Sequence, residues 1–385
     1  MTDHDPFGLR SLTVDQLRST PGVKWQQHPD RLAAWVADMD FPMAPAITDR
    51  LQSIIDRGMA GYQKWGTGAS PAGRVFVDRM ASKYGWSIDV DRVHDLADVL
   101  QGVRLAIGML TEPGAAIALH TPAYHPFLQS LADMDRRLVH APFDVDELRS
   151  VIASEKPAAL LLCHPQNPTG HVFDRPQLEA IAEIVEEFDL IVISDEIHSD
   201  LVYAPKTHIP FASLSPAVES RTITVTSTSK AFNLAGLRWA VMHVGIEHFD
   251  SMIRSYPKHW FGSPNLFGVE AAVAAWTEGD EWLGAVMDVL DENRHRLAEL
   301  VEAYLTGAKY QIPSATYLAW IDCSMLGDGD RPFELFQSRG VELSPGLQFG
   351  ANGSGHVRLN FATSPAVVEQ IVATMANNWA AQLRH

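Results

Sequence analysis

The chain has 385 residues, 46% of them hydrophobic and 20% charged, enough apolar material for a large core divided over two domains. Its 47 acidic against 30 basic residues give a net charge of −17, which opposes binding to nucleic acid or to anionic membranes. No apolar run reaches the roughly 18 residues that span a bilayer, the polar start is no secretory signal, and Cys163 and Cys323 form neither a disulfide scaffold nor a metal knuckle. A soluble, cytoplasmic protein is expected.

From about residue 49 to 285 the sequence alternates helical and strand patterns, with no repeat and no low-complexity linker. Residues 102–110 read as a helix, 115–120 as a strand, 158–163 as a strand and 176–188 as a helix. Two further apolar runs, 190–193 and 222–225, read as strands. In the helix at 176–188, Leu178, Ile181, Val185 and Phe188 recur at helical spacing and form a core face, with Asp174 as the cap. Such alternation predicts a mostly parallel sheet covered by helices on both faces. An amphipathic helix from Trp282 to about Tyr304 and strands at 316–321 and 357–361 make the last part α+β.

Three of these strands run into polar residues. The first leads to His164-Pro165-Gln166-Asn167-Pro168-Thr169-Gly170, the second to Ser194-Asp195-Glu196-Ile197-His198, and the third to Thr226-Ser227-Thr228-Ser229-Lys230 and on to Arg238. Each interval holds one helix and one strand, as a right-handed crossover requires, so all three sites fall on the carboxyl edge of one sheet, where such folds bind ligands. A lysine held there loses part of the solvation that favours its ammonium form, so a neutral amine able to attack an aldehyde becomes accessible. The hydroxyls of Ser227 and Ser229 and the guanidinium of Arg238 are suited to a phosphate beside it. Gly102-Val103 is read as the opening of a helix, where a glycine lets a phosphate approach backbone N–H groups at the positive end of the dipole.

The Asn-Pro-x-Gly, Asp and Ser-x-Ser-Lys elements, in this order, resemble the fold type I, pyridoxal 5′-phosphate (PLP) enzymes of the class I/II aminotransferase superfamily. The resemblance covers nearly the whole chain. Within that superfamily the chain is most similar to the cystathionine β-lyase or C–S lyase subfamily, through Lys24-Trp25, Trp35-Val36-Ala37-Asp38-Met39-Asp40-Phe41, Asp195-Glu196-Ile197-His198, Lys230-Ala231-Phe232-Asn233-Leu234-Ala235-Gly236-Leu237 and Ala315-Thr316-Tyr317-Leu318-Ala319-Trp320. The resemblance implies an α/β PLP-binding large domain at 49–285, and a smaller α+β domain built from 1–48 and 286–385. It implies that Lys230 bonds the cofactor, that Asp195 holds its pyridine nitrogen protonated, and that Tyr124 stacks on its ring. Asn167, with His198 beside it, is implied to face the phenolic oxygen. Arg358 is implied to grip the substrate α-carboxylate, with Asn167 close by, because its planar fork matches that group. Tyr62 is implied to reach the phosphate of the partner subunit, and hence a homodimer with shared active sites.

Two positions depart from the subfamily: Gln166 stands where His is common, and His171 where Arg is common. The histidines and pairs such as Asp38 and Asp40 have no metal-ligand spacing, so no metal is expected. The reading is a lyase that eliminates a thiol from cystathionine and other S-substituted cysteines. An aminotransferase on the same scaffold, or a protein that keeps the fold without catalysis, are its alternatives.

Overall fold

The computed structural model describes residues 5–63, 65, 69–257, 260–326 and 331–376. The chain forms two compact units, one of Met43–Pro165 with Val172–Glu281, the other of Met1–Pro42, Gln166–His171 and Trp282–His385.

The larger unit is built on a seven-stranded sheet. Its strands are β1 (Val93–Leu96), β2 (Ala116–His120), β3 (Arg137–Ala141), β4 (Ala159–Cys163), β5 (Ile191–Asp195), β6 (Thr222–Thr226) and β7 (Ala240–Val244), in the spatial order β1-β7-β6-β5-β4-β2-β3. Only β7 runs antiparallel to its neighbours. The inner strands are largely apolar because both faces are covered: Ile117, Leu161, Ile193 and Val225 enter one core, while Ala118, Leu160, Leu162 and Val192 enter the other. The first core takes its helical side from α2 (Val99–Leu110) and α3 (His125–Asp133), and the second from α4 (Arg175–Glu187). Helix α1 (Pro71–Tyr84) precedes β1 in the same unit. The stripe Leu178, Ile181 and Val185 of α4 is buried as its spacing predicts, and Asp174 caps the helix by accepting from the Gln177 N–H at 3.1 Å.

The first helix of the sheet region differs from the sequence reading. Helix α2 begins at Val99, three residues before Gly102, because Asp98 accepts from the Gln101 N–H at 2.7 Å and caps the earlier turn. Gly102 is instead a packing residue. A Cβ there would stand 2.8 Å from both Leu96 and Val225, so its absence lets the helix lie close on the sheet.

The smaller unit has a four-stranded antiparallel sheet of β8 (Lys309–Tyr310), β9 (Leu318–Asp322), β10 (Ser344–Pro345) and β11 (His356–Asn360), in the order β10-β11-β9-β8. Strand β9 starts at Leu318 and not at residue 316, since Thr316 holds a left-handed φ of 69° that no strand accepts. Residues far apart in sequence are stitched together here. Leu32–Ala33 pairs in parallel with Val341–Glu342, the Asn360 N–H donates to Ala34 O at 2.8 Å, and the Asn360 side chain donates to Val36 O and Asp38 O, both at 2.6 Å. Buried Lys24 meets Asp40 at 2.9 Å, and the Trp25 indole donates to the same carboxylate oxygen at 2.8 Å. The segment 35–41 is therefore held by backbone carbonyls and one carboxylate. Among the described residues, no helix is long and apolar enough to cross a membrane.

Candidate active site

In the larger unit, the carboxyl ends of β4, β5 and β6 lie side by side, with Cys163 opposite Asp195 and Asp195 opposite Val225. This is the crevice edge of a doubly wound sheet. Asp195 is only 4% exposed, and burial, reinforced by the neighbouring Glu196 charge, pushes its carboxyl up to about 7 against the pull of the Ile197 N–H and of Lys230. Among the described residues, the one hydrogen bond to that carboxylate comes from the Ile197 N–H at 3.0 Å. The site thus holds a buried acid short of donors and of positive charge.

Beyond β6 the chain tightens into a turn. Phe232 N–H donates to Thr228 O and Leu234 N–H to Ser229 O, each at 3.0 Å, and Asn233 takes a left-handed φ of 57°. Lys230 sits half-buried in this turn, its charge felt by Asp195. Ser227 is buried and donates its hydroxyl proton to Trp239 O at 2.6 Å while accepting the Ser229 N–H at 3.1 Å. That hydroxyl closes the turn and has no proton left for a phosphate, which leaves Ser229 as the more accessible hydroxyl. Arg238 is exposed, holds a left-handed φ of 56°, and pairs with Asp98 at the cap of α2. The guanidinium thus lies at the start of α2, whose free N–H groups belong to residues before Gly102. The Gly102 amide lies inside the helix and not at its first residue, and Val103 is buried in the core.

Tyr124 follows β2 at the cap of α3 and packs edge-on against Phe127 at 5.3 Å between ring centroids. His198 is 2% exposed, in the turn after β5 where its carbonyl accepts from the Leu201 N–H at 2.9 Å. The structure also reveals a group that the sequence reading overlooks. Glu196 is 2% exposed and accepts from Ser194 Oγ at 2.9 Å, the Phe211 N–H at 3.0 Å and His208 Nε2 at 2.8 Å. Its only signal in the sequence is an acid following Asp195 at the end of a buried strand.

In the smaller unit, Arg358 on β11 is 3% exposed, so it is no surface ion-pairing residue. Its Nη1 donates to Asn167 Oδ1 at 3.1 Å, its Nη2 to Trp35 O at 2.9 Å and to Ser344 Oγ at 3.2 Å, and its guanidinium lies 4.8 Å from the Phe349 ring centroid. The sequence marks Trp35 only as the start of a family segment, with no sign of its carbonyl's role, and it does not mark Ser344. Gln166 folds the loop of Asn167: its side-chain oxygen accepts from the Thr169 hydroxyl at 2.6 Å and the Thr169 N–H at 3.0 Å. Tyr62 is fully exposed on this chain.

These residues fit PLP. A protonated ring nitrogen offers the N–H and the positive charge that buried Asp195 lacks, and Lys230 supplies an amine within the electrostatic reach of that acid. Residues 76–375 match the model of the aminotransferase class I and II family. The chain belongs to that family. It is 31% identical to a cystathionine β-lyase of Corynebacterium glutamicum, over 96% of this chain and 100% of that one, and 30% identical to the cystathionine β-lyase PatB of Bacillus subtilis, over 91% and 94%. Among solved structures it resembles the PLP-bound C–S lyase of Staphylococcus hominis, with a TM-score of 0.86 at 28% identity over 97% of this chain and 100% of that chain. As a member of this fold type I family, the protein uses PLP.

Proposed function

We propose that this protein is a PLP-dependent carbon–sulfur lyase that acts on L-cystathionine and related S-substituted cysteines, and so serves sulfur amino-acid metabolism. The reading is supported by full-length similarity to enzymes of that name together with the buried, donor-poor Asp195 beside Lys230. When bound, PLP serves as an electron sink for the carbanion formed at the substrate Cα.

The residues supply the rest. Asp195, ionised beside the ring nitrogen, keeps that nitrogen protonated. Tyr124 stacks on the ring, His198 and the Asn167 amide face its phenolic oxygen, and Ser229 with Arg238 hold the phosphate at the start of α2, with Ser227 fixing the turn. Arg358 binds the substrate α-carboxylate, which takes the place of Ser344 Oγ at Nη2, while its bond to Asn167 Oδ1 orients the Asn167 N–H groups. Lys230 takes the Cα proton as general base, and the Cβ–S bond then breaks with its electron pair going to sulfur. With one water, cystathionine yields homocysteine, pyruvate and ammonia. Exposed Tyr62 serves the phosphate of a partner subunit, which makes the working form a homodimer. In this reading residues 49–285 form the cofactor domain, and 1–48 with 286–385 the smaller one.

The test is incubation of the purified holoenzyme with L-cystathionine and no added 2-oxo acid. Pyruvate, ammonia and homocysteine in equal amounts are expected. A requirement for an external 2-oxo acid, or faster amino transfer between ordinary amino acids and 2-oxo acids, would establish an aminotransferase instead.

A further inference from the structure

The larger unit contains a cavity of about 440 Å³ whose lining includes neither Asp195 nor Lys230. It opens between the end of α1, the start of α4 and the segment after Asp200. Three cations line it, Lys83, Arg175 and Lys206, together with the hydroxyls of Ser199, Thr207 and Ser213. This runs against a chain whose net charge is −17. The acid in the lining, Asp200, is ionised, and its charge is offset by Arg79 and Lys83. Its Oδ1 takes Arg79 at 2.8 Å and Lys83 at 2.5 Å, and its Oδ2 takes the Trp276 indole N–H at 3.1 Å. Burial opposes its ionisation, but Arg79 and Lys83 prevail and hold its carboxyl low, at about 2.

The outer cations are loosely held. Arg175 meets Glu179 at 3.4 Å, and Lys206 meets Asp174 at 3.7 Å, with all four side chains substantially exposed. Pairs of that kind contribute little and exchange readily for a better partner. The wall nearest the core is His208, 6% exposed, whose Nε2 is engaged by Glu196. Its Nδ1 has no hydrogen-bond partner among the described residues. With Nε2–H given to Glu196, Nδ1 is an acceptor, and an ordered water that donates both to it and to a bound anion removes the cost of leaving it unpaired.

We propose that this cavity is a binding site for a small organic oxyanion carrying two or more negative charges, distinct from the PLP and substrate site. Its volume lies within the ordinary range for metabolite pockets, about 300–1,000 Å³. The charge comes from the loosely held Arg175 and Lys206, with Lys83 shared with Asp200, and the Thr207 hydroxyl and a water held by His208 supply the directional bonds. Because Glu196, the partner of His208, adjoins Asp195 and its charge acts on that carboxyl, occupancy bears on the electrostatics of the catalytic acid.

Isothermal titration calorimetry on the PLP-loaded protein tests this, with citrate as the carboxylate probe and glycerol 3-phosphate as the phosphate probe. Saturable binding of at least one is expected, and which one binds identifies the oxyanion. The double variant Arg175→Gln, Lys206→Gln, at two exposed positions, should weaken that binding about tenfold or more, roughly what loss of two charge-assisted contacts removes. Arg18→Glu, an exposed cation of the other unit, should leave it unchanged. No binding of either probe at millimolar concentration, or equal binding by the double variant, overturns the proposal. Neither result depends on the lyase reaction.

Discussion

Arg358 Nη1 donates to Asn167 Oδ1 across 3.1 Å, which ties the loop that follows β4 to the central strand β11 of the smaller sheet. One guanidinium edge is thus spent on positioning before any substrate arrives. Replacing Arg358 by Lys keeps the charge but loses the planar fork, so the KM for cystathionine should rise about 10- to 100-fold. PLP content, read from the cofactor's visible absorbance, should stay near that of the parent. Loss of PLP in the variant would refute the assignment to the substrate carboxylate.

Lys230 is the amine expected to bond the cofactor. Borohydride treatment of the holoenzyme followed by peptide mapping should place the label on Lys230, and Lys230→Ala should lower kcat by about 1,000-fold or more, as loss of a general base and covalent anchor does. A label on any other lysine sinks the assignment.

Asp195 gives a pH signature in the apoprotein. Its folded pKa of about 7 lies above the ordinary aspartate value of 3.8, so the folded chain keeps a proton that the unfolded chain releases between those values. Stability of the apoprotein therefore falls as pH rises from about 4 to about 7, by up to about 4 kcal/mol for that group. Asp195→Asn removes the titrating group, and urea denaturation of the variant at pH 5 and pH 8 should show a correspondingly smaller difference than the parent. An unchanged difference would mean that other groups carry the effect. In the loaded enzyme the same variant should lose most activity, because the ring nitrogen loses its counter-charge.

Gly170 closes the loop of Asn167 at a φ of 67°, and a Cβ there would lie 2.4 Å from the Pro313 Cβ and 2.7 Å from Ala315 O. Gly170→Ala should cost about 2–4 kcal/mol, from overpacking together with left-handed strain, and should raise KM by displacing Asn167. Chemical denaturation and steady-state kinetics measure the two effects. A variant with native stability would show that the loop yields without cost.

The inner strands of the large sheet were legible because they are buried on both faces and read as apolar runs that lead to Asn167, Asp195 and Lys230. Local propensity is blind to what fixes the smaller unit. Trp35 reaches Arg358, and Ala34 reaches Asn360, through carbonyls whose residue types carry no mark of it. The start of α2 was misplaced because Val99 and Leu100 extend an apolar stretch whose real signal is Asp98 as cap. Glu196 and His208 were missed since burial, and not spacing, gives them their importance.

The stitching of segment 32–40 to β11 and its flanks also bears on synthesis. Strand β11 emerges from the ribosome more than 300 residues after the segment whose carbonyls receive its N–H groups, an interval visible in the Arg358 to Trp35 bond, which spans 323 positions. The larger unit has all of its strands once β7 is made, so its core can collapse during translation, whereas the smaller unit must wait until His356–Asn360 has been made. A contiguous fragment cannot reproduce the Arg358 site, and co-expressed halves split after Glu281 would restore it only by finding each other.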